Sequence, residues 1–160
     1  ADEINWKFQT EDWQPIRFLT AHHDASTVHA FMQMAPVCLV SSLHDGMNLV
    51  AKEYVAAKKD GNGVLVLSEF AGAAREMSDA LVINPYDAEQ FADAIRYAVE
   101  MGDEERRLRM DRMRQQVAEN NIYRWAASFL AELAATRSPD PQSSGRFELS
   151  GEHRIPSGAR

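Results

Sequence analysis

Short apolar runs alternate along this chain with longer stretches of helical periodicity. Four runs are largely continuous in hydrophobicity and partly β-branched, at residues 16–19, 37–40, 64–67 and 81–83. Continuous rather than alternating apolar residues predict strands covered on both faces, as in a parallel sheet. The segments between them suit crossover helices, over 26–34, 49–58 and, more briefly, 71–77. The clearest helical pattern lies at 88–101, where Phe91, Ile95 and Ala98 share one predicted face with Ala92 and Val99 beside it. Asp87 and Gln90 resemble a capping box at its start, and Gly102 is a natural stop. Asp103-Glu104-Glu105 places acids where a new helix begins. A last helix is expected over 121–134 after a break at Asn120-Asn121.

Strand, helix, strand, helix is the doubly wound α/β pattern. Four predicted strands fall short of the roughly six of a full dinucleotide-type sheet, so the expected fold is an incomplete doubly wound parallel sheet, Rossmann-like in character. The opening "ADEINWKF" reads as a helix already under way, which suggests an excised piece. Residues 1–137 are expected to form the folded lobe. Residues 138–160 are rich in Pro, Ser and Gly and read as a flexible tail.

Composition narrows the function. The 160 residues carry a formal net charge of −7, which argues against a nucleic-acid backbone binder, since that relies on clustered Lys and Arg. No apolar stretch is long enough to span a membrane and no signal peptide is visible, so a cytoplasmic location is expected. The one cysteine, Cys38, lies in the apolar "VCLV" and reads as a buried structural thiol.

The chemistry concentrates in "SSLHDGMNLVAKEYVAA", residues 41–57. Ligands of open α/β sheets sit at the carboxyl ends of strands, beside helix N-termini. Gly46 lets a ligand approach the backbone or permits a positive φ, and Asn48 is a good N-cap. The first amides of the following helix, at Leu49 and Val50, then have no helical acceptor and make a natural seat for a phosphate. Glu53 lies one turn further and Asp45 just before the helix. Carboxylates repel phosphate but accept hydrogen bonds from sugar hydroxyls. Two acids flanking an anion seat therefore suit a sugar nucleotide. The simpler reading stays open: Asp45 and Asn48 as a turn and cap, Glu53 with Lys52 as a solvated surface pair.

Three segments in order, "DGMNLVAKEYVAA", "GVLVLSEFAGAA" and "ALVINPYD", resemble the trehalose-6-phosphate synthase family. The likeness runs from "INWKF" to about Leu133. It implies a retaining glycosyltransferase of two Rossmann-like lobes (GT-B), with this chain in the C-terminal, donor-binding lobe. The implied reaction moves glucose from UDP-glucose to glucose-6-phosphate, giving trehalose-6-phosphate and UDP. UDP-glucose is a co-substrate; no cofactor or metal is implied. The resemblance further implies that Asp45, counted as the catalytic position, holds donor glucose hydroxyls. Backbone at Gly46, Met47 and Asn48 would touch the same sugar, amides at Leu49 and Val50 the diphosphate, and Glu53 the ribose. His22-His23-Asp24 matches the region near the uracil, with His23 as a candidate to stack on the base or donate to it. No residue is implied as a covalent nucleophile.

Two departures stand out: His44 precedes the aspartate where the family commonly has arginine, and Trp6-Lys7 follow "IN" where it often has glycine and a basic residue. The family's diphosphate-clamping arginine and lysine, and its N-terminal acceptor lobe, lie upstream of the part represented. The fragment alone is therefore expected to bind donor weakly and turn nothing over. "SEFAGAA" either lines the donor cleft at Gly72 or makes a tight strand-to-helix turn. Trp13 and Trp125 are expected to pack in the core. Tyr123, Trp125, Phe129 and Leu130 on the last helix are expected to lie uncovered in isolation and to favour a homo-oligomer. Two alternatives keep the same fold: a glucosylglycerol-phosphate synthase-like acceptor preference, and a non-catalytic sugar-phosphate sensor or interaction subunit. A doubly wound domain of unrelated purpose, such as a response-regulator-like module, is more remote.

Overall fold

The computed structural model describes residues 1–136. Three of the four predicted strands form: β1 (Val37–Val40), β2 (Val64–Ser68) and β3 (Leu81–Ile83). They make one parallel sheet in the order β1-β2-β3, with Val37 opposite Val64 and Ser68 opposite Ile83. The helices are α1 (Asp2–Phe8), α2 (Ala25–Met34), α3 (Leu49–Ala57), α4 (Ala88–Glu100), α5 (Asp103–Glu119) and α6 (Ile122–Ala135). The chain divides into two compact units, 1–121 and 122 onward, where the sequence breaks between α5 and α6.

Alternation within β2 builds the core of the first unit. Leu65 and Leu67 point to one face and pack with Ala51, Tyr54 and Val55 of α3 and with Met110 and Met113 of α5. Val64 and Val66 point to the other and pack with Ile83 and with Ala98 and Met101 at the end of α4. Every residue of β2 is buried, which explains its unbroken hydrophobicity. Truncating a side chain such as Leu67 to alanine is expected to cost about 2–5 kcal/mol.

The C-terminal end of α3 is tied to that of α2. Tyr54 Oη donates to the Ala35 carbonyl at 3.0 Å, and the buried Lys58 donates its Nζ to the Gln33 carbonyl at 2.7 Å. A methyl at Gly63 would fall 2.6 Å from Tyr54 Oη, so the sequence needs glycine there. Because α2 leads into β1 and α3 leads out of it, both helices start at the carboxyl edge of the sheet.

Several expectations need correction. Residues 16–19 form no strand. The backbone N–H and C=O of Ile16 are taken by the Asn5 side chain of α1, at 2.9 and 2.8 Å, and Phe18 and Leu19 are exposed. The segment predicted as a third helix at 71–77 shortens to a 3-10 turn, Gly72–Arg75. On α4 the packed positions are Phe91, Ala94 and Ala98, while Ile95 and Val99 face outward. Asp87 does cap α4, accepting from Glu89 and Gln90 N–H, but Gln90 reaches back to the Asn84 N–H rather than to the cap residue. Trp13 is exposed instead of packed in the core. In the second unit Trp125 is also exposed and stacks on Phe129, with ring centroids 5.5 Å apart. No residue of α6 is buried. The predicted tail, 138–160, lies outside the described residues.

Candidate functional site

After β1 the chain crosses the carboxyl edge of the sheet and enters α3 through residues 41–48. Asn48 makes the entry. Its φ of 69° is left-handed, a region that asparagine tolerates better than most residues. Its Oδ1 accepts from Ala51 N–H at 2.9 Å, capping the helix. Its Nδ2 donates to Asp45 Oδ2 at 2.9 Å. Asp45 Oδ1 in turn accepts from Met47 N–H at 3.1 Å. Of the two alternatives at Gly46, the positive φ falls on Asn48 instead. A side chain placed on Gly46 would meet no protein atom within 4 Å, so the space above this peptide is open.

The turn-and-cap role of Asp45 and Asn48 is therefore real, and it does not exhaust the carboxylate. Each oxygen of Asp45 takes one donor from the loop and keeps a further lone pair. The Asn48 amide and then the Met47 N–H hold the Asp45 carboxyl below the usual carboxylate range. Ala51 is satisfied by the cap, whereas Leu49 and Val50, both exposed, have N–H groups with no carbonyl one turn earlier in the helix. The result is an edge of backbone donors with a charged acceptor beside it.

Glu53 stands on the side of α3 that faces α2. It lines a cavity of about 460 Å³ together with His23, Ala25, Val28, His29 and Met32. His23 and Glu53, thirty residues apart in sequence, are thus brought to one site. Lys52 takes no part, since its Nζ is bound to Glu76 Oε2 at 2.8 Å, and the Lys52–Glu53 surface pair does not form. His23 Nε2 is buried without a partner among the described residues, and its ring meets Phe31 edge-on at 5.9 Å. Asp24 caps α2 by accepting from Thr27 N–H at 2.8 Å, so the cavity is rimmed by the first turn of that helix.

"SEFAGAA" contributes backbone that sequence reasoning did not assign. Asp45 N–H donates to the Phe70 carbonyl at 3.2 Å, Gly72 N–H to the Asp45 carbonyl at 3.0 Å, and Ala73 N–H to the Met47 carbonyl at 2.8 Å. Asp45 and Ala71 form a parallel bridge that prolongs the pairing of β1 with β2 beyond the sheet. Val28 and Met32, one turn apart on α2, were equally unassigned, because such spacing ordinarily signals a core face.

Residues 1–135 match the model of Glycosyltransferase family 20. The chain belongs to that family. A trehalose-6-phosphate synthase of Klebsiella pneumoniae subsp. pneumoniae is 42% identical over 150 residues, 92% of this chain and 32% of the relative. An E. coli structure with UDP-2-fluoro glucose bound is 41% identical with a TM-score of 0.79, covering 86% of this chain and 31% of that one. A UDP-forming alpha,alpha-trehalose-phosphate synthase of Burkholderia xenovorans, solved in complex with glucose-6-phosphate, is 42% identical with a TM-score of 0.79, covering 83% and 30%. The family 20 chain described here thus spans about a third of the length of its relatives.

Three further properties complete the site. No helix is long and apolar enough to cross a membrane, and no group of three or more His, Cys, Asp or Glu is placed to hold a metal, both among the described residues. Burial pushes the Cys38 thiol up to about 11, so it is a poor nucleophile near neutral pH.

Proposed function

We propose that this chain is the donor-binding part of a retaining glucosyltransferase that moves glucose from UDP-glucose to glucose-6-phosphate, releasing UDP and trehalose-6-phosphate. One observation carries the reading. The loop at 45–48 presents backbone and a carboxylate under open space, immediately before the uncommitted amides of Leu49 and Val50. On the far side of those amides Glu53 and His23 share a cavity. An acid, an anion seat and a second acid follow one another in the order glucose, diphosphate, ribose.

In this reading Asp45 orients the glucose hydroxyls, and the backbone of Gly46, Met47 and Asn48 lies along the same ring. Leu49 and Val50 N–H groups stabilise charge that grows on the leaving diphosphate, helped by the helix dipole. Glu53 accepts from the ribose hydroxyls, and the loop at His23 borders the uracil. The anomeric C–O bond to phosphate breaks as the acceptor oxygen bonds to the same face. The proton of the acceptor hydroxyl passes to the departing phosphate oxygen. No side chain of this chain acts as a nucleophile, and the reaction draws on no metal or cofactor. Glucose-6-phosphate and a basic diphosphate clamp come from a partner lobe, and the protein works in the cytoplasm. Apolar side chains on α6, including Tyr123, Phe129 and Leu130, are exposed and suit self-association.

Titration of the 160-residue chain with UDP, UDP-glucose and glucose-6-phosphate, followed by amide chemical shifts, tests the proposal. UDP-glucose is expected to bind weakly and to shift Gly46 to Val50. Glucose-6-phosphate is expected to leave them unmoved, and no turnover is expected. A few amide hydrogen bonds of about 0.5–1.5 kcal/mol each offset only part of an association cost of roughly 4–15 kcal/mol. Binding of UDP-glucose far from residues 45–53, or synthase activity of this chain alone, would overturn it.

A further inference from the structure

The Gly46–Met47 peptide is held from behind by one atom-sized gap. A methyl group built on Gly72 would overlap the Gly46 carbonyl oxygen and come within 3.2 Å of Met47 Cα. Gly72 is not in the left-handed region, where only its freedom of φ would matter. What the position requires is space. The same segment grips the loop through three backbone hydrogen bonds, Asp45 to Phe70, Gly72 to Asp45 and Ala73 to Met47. On its other side Gly46 faces nothing within 4 Å. The loop is therefore pinned on the side of the sheet and free on the side where a ligand would lie.

We infer that Gly72 is a positioning residue for the sugar: it sets the height of the Gly46–Met47 peptide, and through the Met47 N–H it sets the direction of the Asp45 carboxylate. The coupling is short. Moving the Gly46 carbonyl turns the peptide that carries the Met47 N–H, and that N–H donates to Asp45 Oδ1 at 3.1 Å. Asp45 Oδ2 remains tethered to Asn48, so the carboxylate swings about that tether. The Leu49 and Val50 amides belong to α3, whose Ala51, Tyr54 and Val55 are locked in the core, and they stay where they are. A substitution at Gly72 should thus disturb the carbohydrate end of the ligand and spare the nucleotide end. This inference rests on the donor-site reading above and adds the element that enforces its geometry.

The test separates the two ligands on the 160-residue chain. With Gly72→Ala, the Kd for UDP-glucose should rise at least tenfold, while the Kd for UDP should change by less than about threefold and the Met47 amide should shift in the free protein. Equal weakening of both ligands, or no weakening of either, overturns the positioning role. Should the variant not fold, amide hydrogen exchange in the unaltered chain answers the same question. Saturating UDP-glucose should slow exchange at Gly72 and Ala73 several-fold more than saturating UDP does, because their acceptors lie in the loop that the sugar clamps. Equal protection by the two ligands overturns the proposal. Gly46→Ala distinguishes a failure of the underlying reading. Its new methyl meets no protein atom and occupies only the ligand side. If it leaves UDP-glucose binding intact, the loop is not the sugar seat at all. If it weakens UDP-glucose while Gly72→Ala does not, only the positioning role is lost.

Discussion

The loop at 45–48 and the cavity at Glu53 flank the same first turn of α3, yet they are built in opposite ways. The loop is made of backbone and is braced by its own hydrogen bonds: Asn48 caps the helix and tethers Asp45, Met47 bonds to Asp45, and residues 70–73 pin the chain from behind. The cavity is made of side chains borrowed from a second helix, including Val28 and Met32 of α2, with His23 and Glu53 at its edge. The first needs no rearrangement to present its groups, and preorganised donors and dipoles are where electrostatic stabilisation of a transition state is largest. The second shapes a volume and supplies one carboxylate. On the proposed reading the loop is the end that meets the sugar and the cavity the end that holds the nucleoside.

The sharpest way to break that contrast is Asp45→Ala in a full-length synthase carrying this segment. Hydrogen bonds to a charged group contribute about 1.5–3 kcal/mol each, so losing an acceptor for two hydroxyls should lower kcat on the order of 100-fold or more. UDP affinity should hardly move. Unchanged turnover in a steady-state assay would remove Asp45 from the site. The pH dependence sharpens the same point. The Asp45 pKa is lowered by Asn48 and Met47, so its contribution is fully present above the ordinary carboxylate value, about 3.9, and is lost only as pH falls through the lower folded value. Asp45 should therefore impose no loss of UDP-glucose binding between pH 7 and pH 5, as read by calorimetry.

Sequence patterning revealed the loop better than the cavity. Asn48 as a cap, the uncommitted amides of Leu49 and Val50, and the flanking acids all follow from local spacing, and the structure has Asn48 as the cap. Of the two readings open at Gly46, close approach and a positive φ, the second belongs to Asn48 instead, and the open space at Gly46 leaves the first. The grip of residues 70–73 on the loop was hidden because it is made by backbone, and backbone pairing across 25 residues leaves no mark on residue type. The cavity depends on how α2 lies against α3, which is set by Lys58 and Tyr54 reaching the end of α2. Strands 37–40 and 81–83 were legible from apolar runs alone. Residues 16–19 carried the same signal and failed, since Asn5 had already taken the backbone groups of Ile16.

Glu53→Gln probes the nucleoside end. A carboxylate replaced by an amide keeps one acceptor and loses the charge, a difference of about 1 kcal/mol, so UDP and UDP-glucose should both weaken by roughly five- to tenfold. A loss confined to UDP-glucose would move Glu53 from the ribose to the transferred sugar and erase the contrast between the two regions. Asn48→Gly probes the loop without touching the backbone angle, because glycine adopts φ of 69° freely. The cap, the tether to Asp45 and a longer hydrogen bond to Ser42 Oγ at 3.4 Å are lost. Stability should fall by about 1 kcal/mol in denaturant unfolding, with a loss of UDP-glucose binding larger than that of UDP.

The smallest effect is expected at His23, and it bears directly on how the cavity works. A histidine that reads a base offers a ring nitrogen or a ring face to it. Here Nε2 is buried without a partner among the described residues, and the ring is held edge-on against Phe31. The side chain lines the cavity, and on the proposed reading the backbone of residues 22–24 makes the contacts with a base. On that account His23→Ala should weaken UDP by less than about threefold, well under the change at Glu53, because ring truncation at a wall removes packing rather than a hydrogen bond. Phe31→Ala should then have an effect of similar size and direction, since the two rings form one contact. A tenfold or greater loss of UDP affinity with His23→Ala alone, at unchanged thermal stability, would mean that the ring itself meets the base. The cavity would then share the loop's character, a site of direct recognition rather than a shaped enclosure.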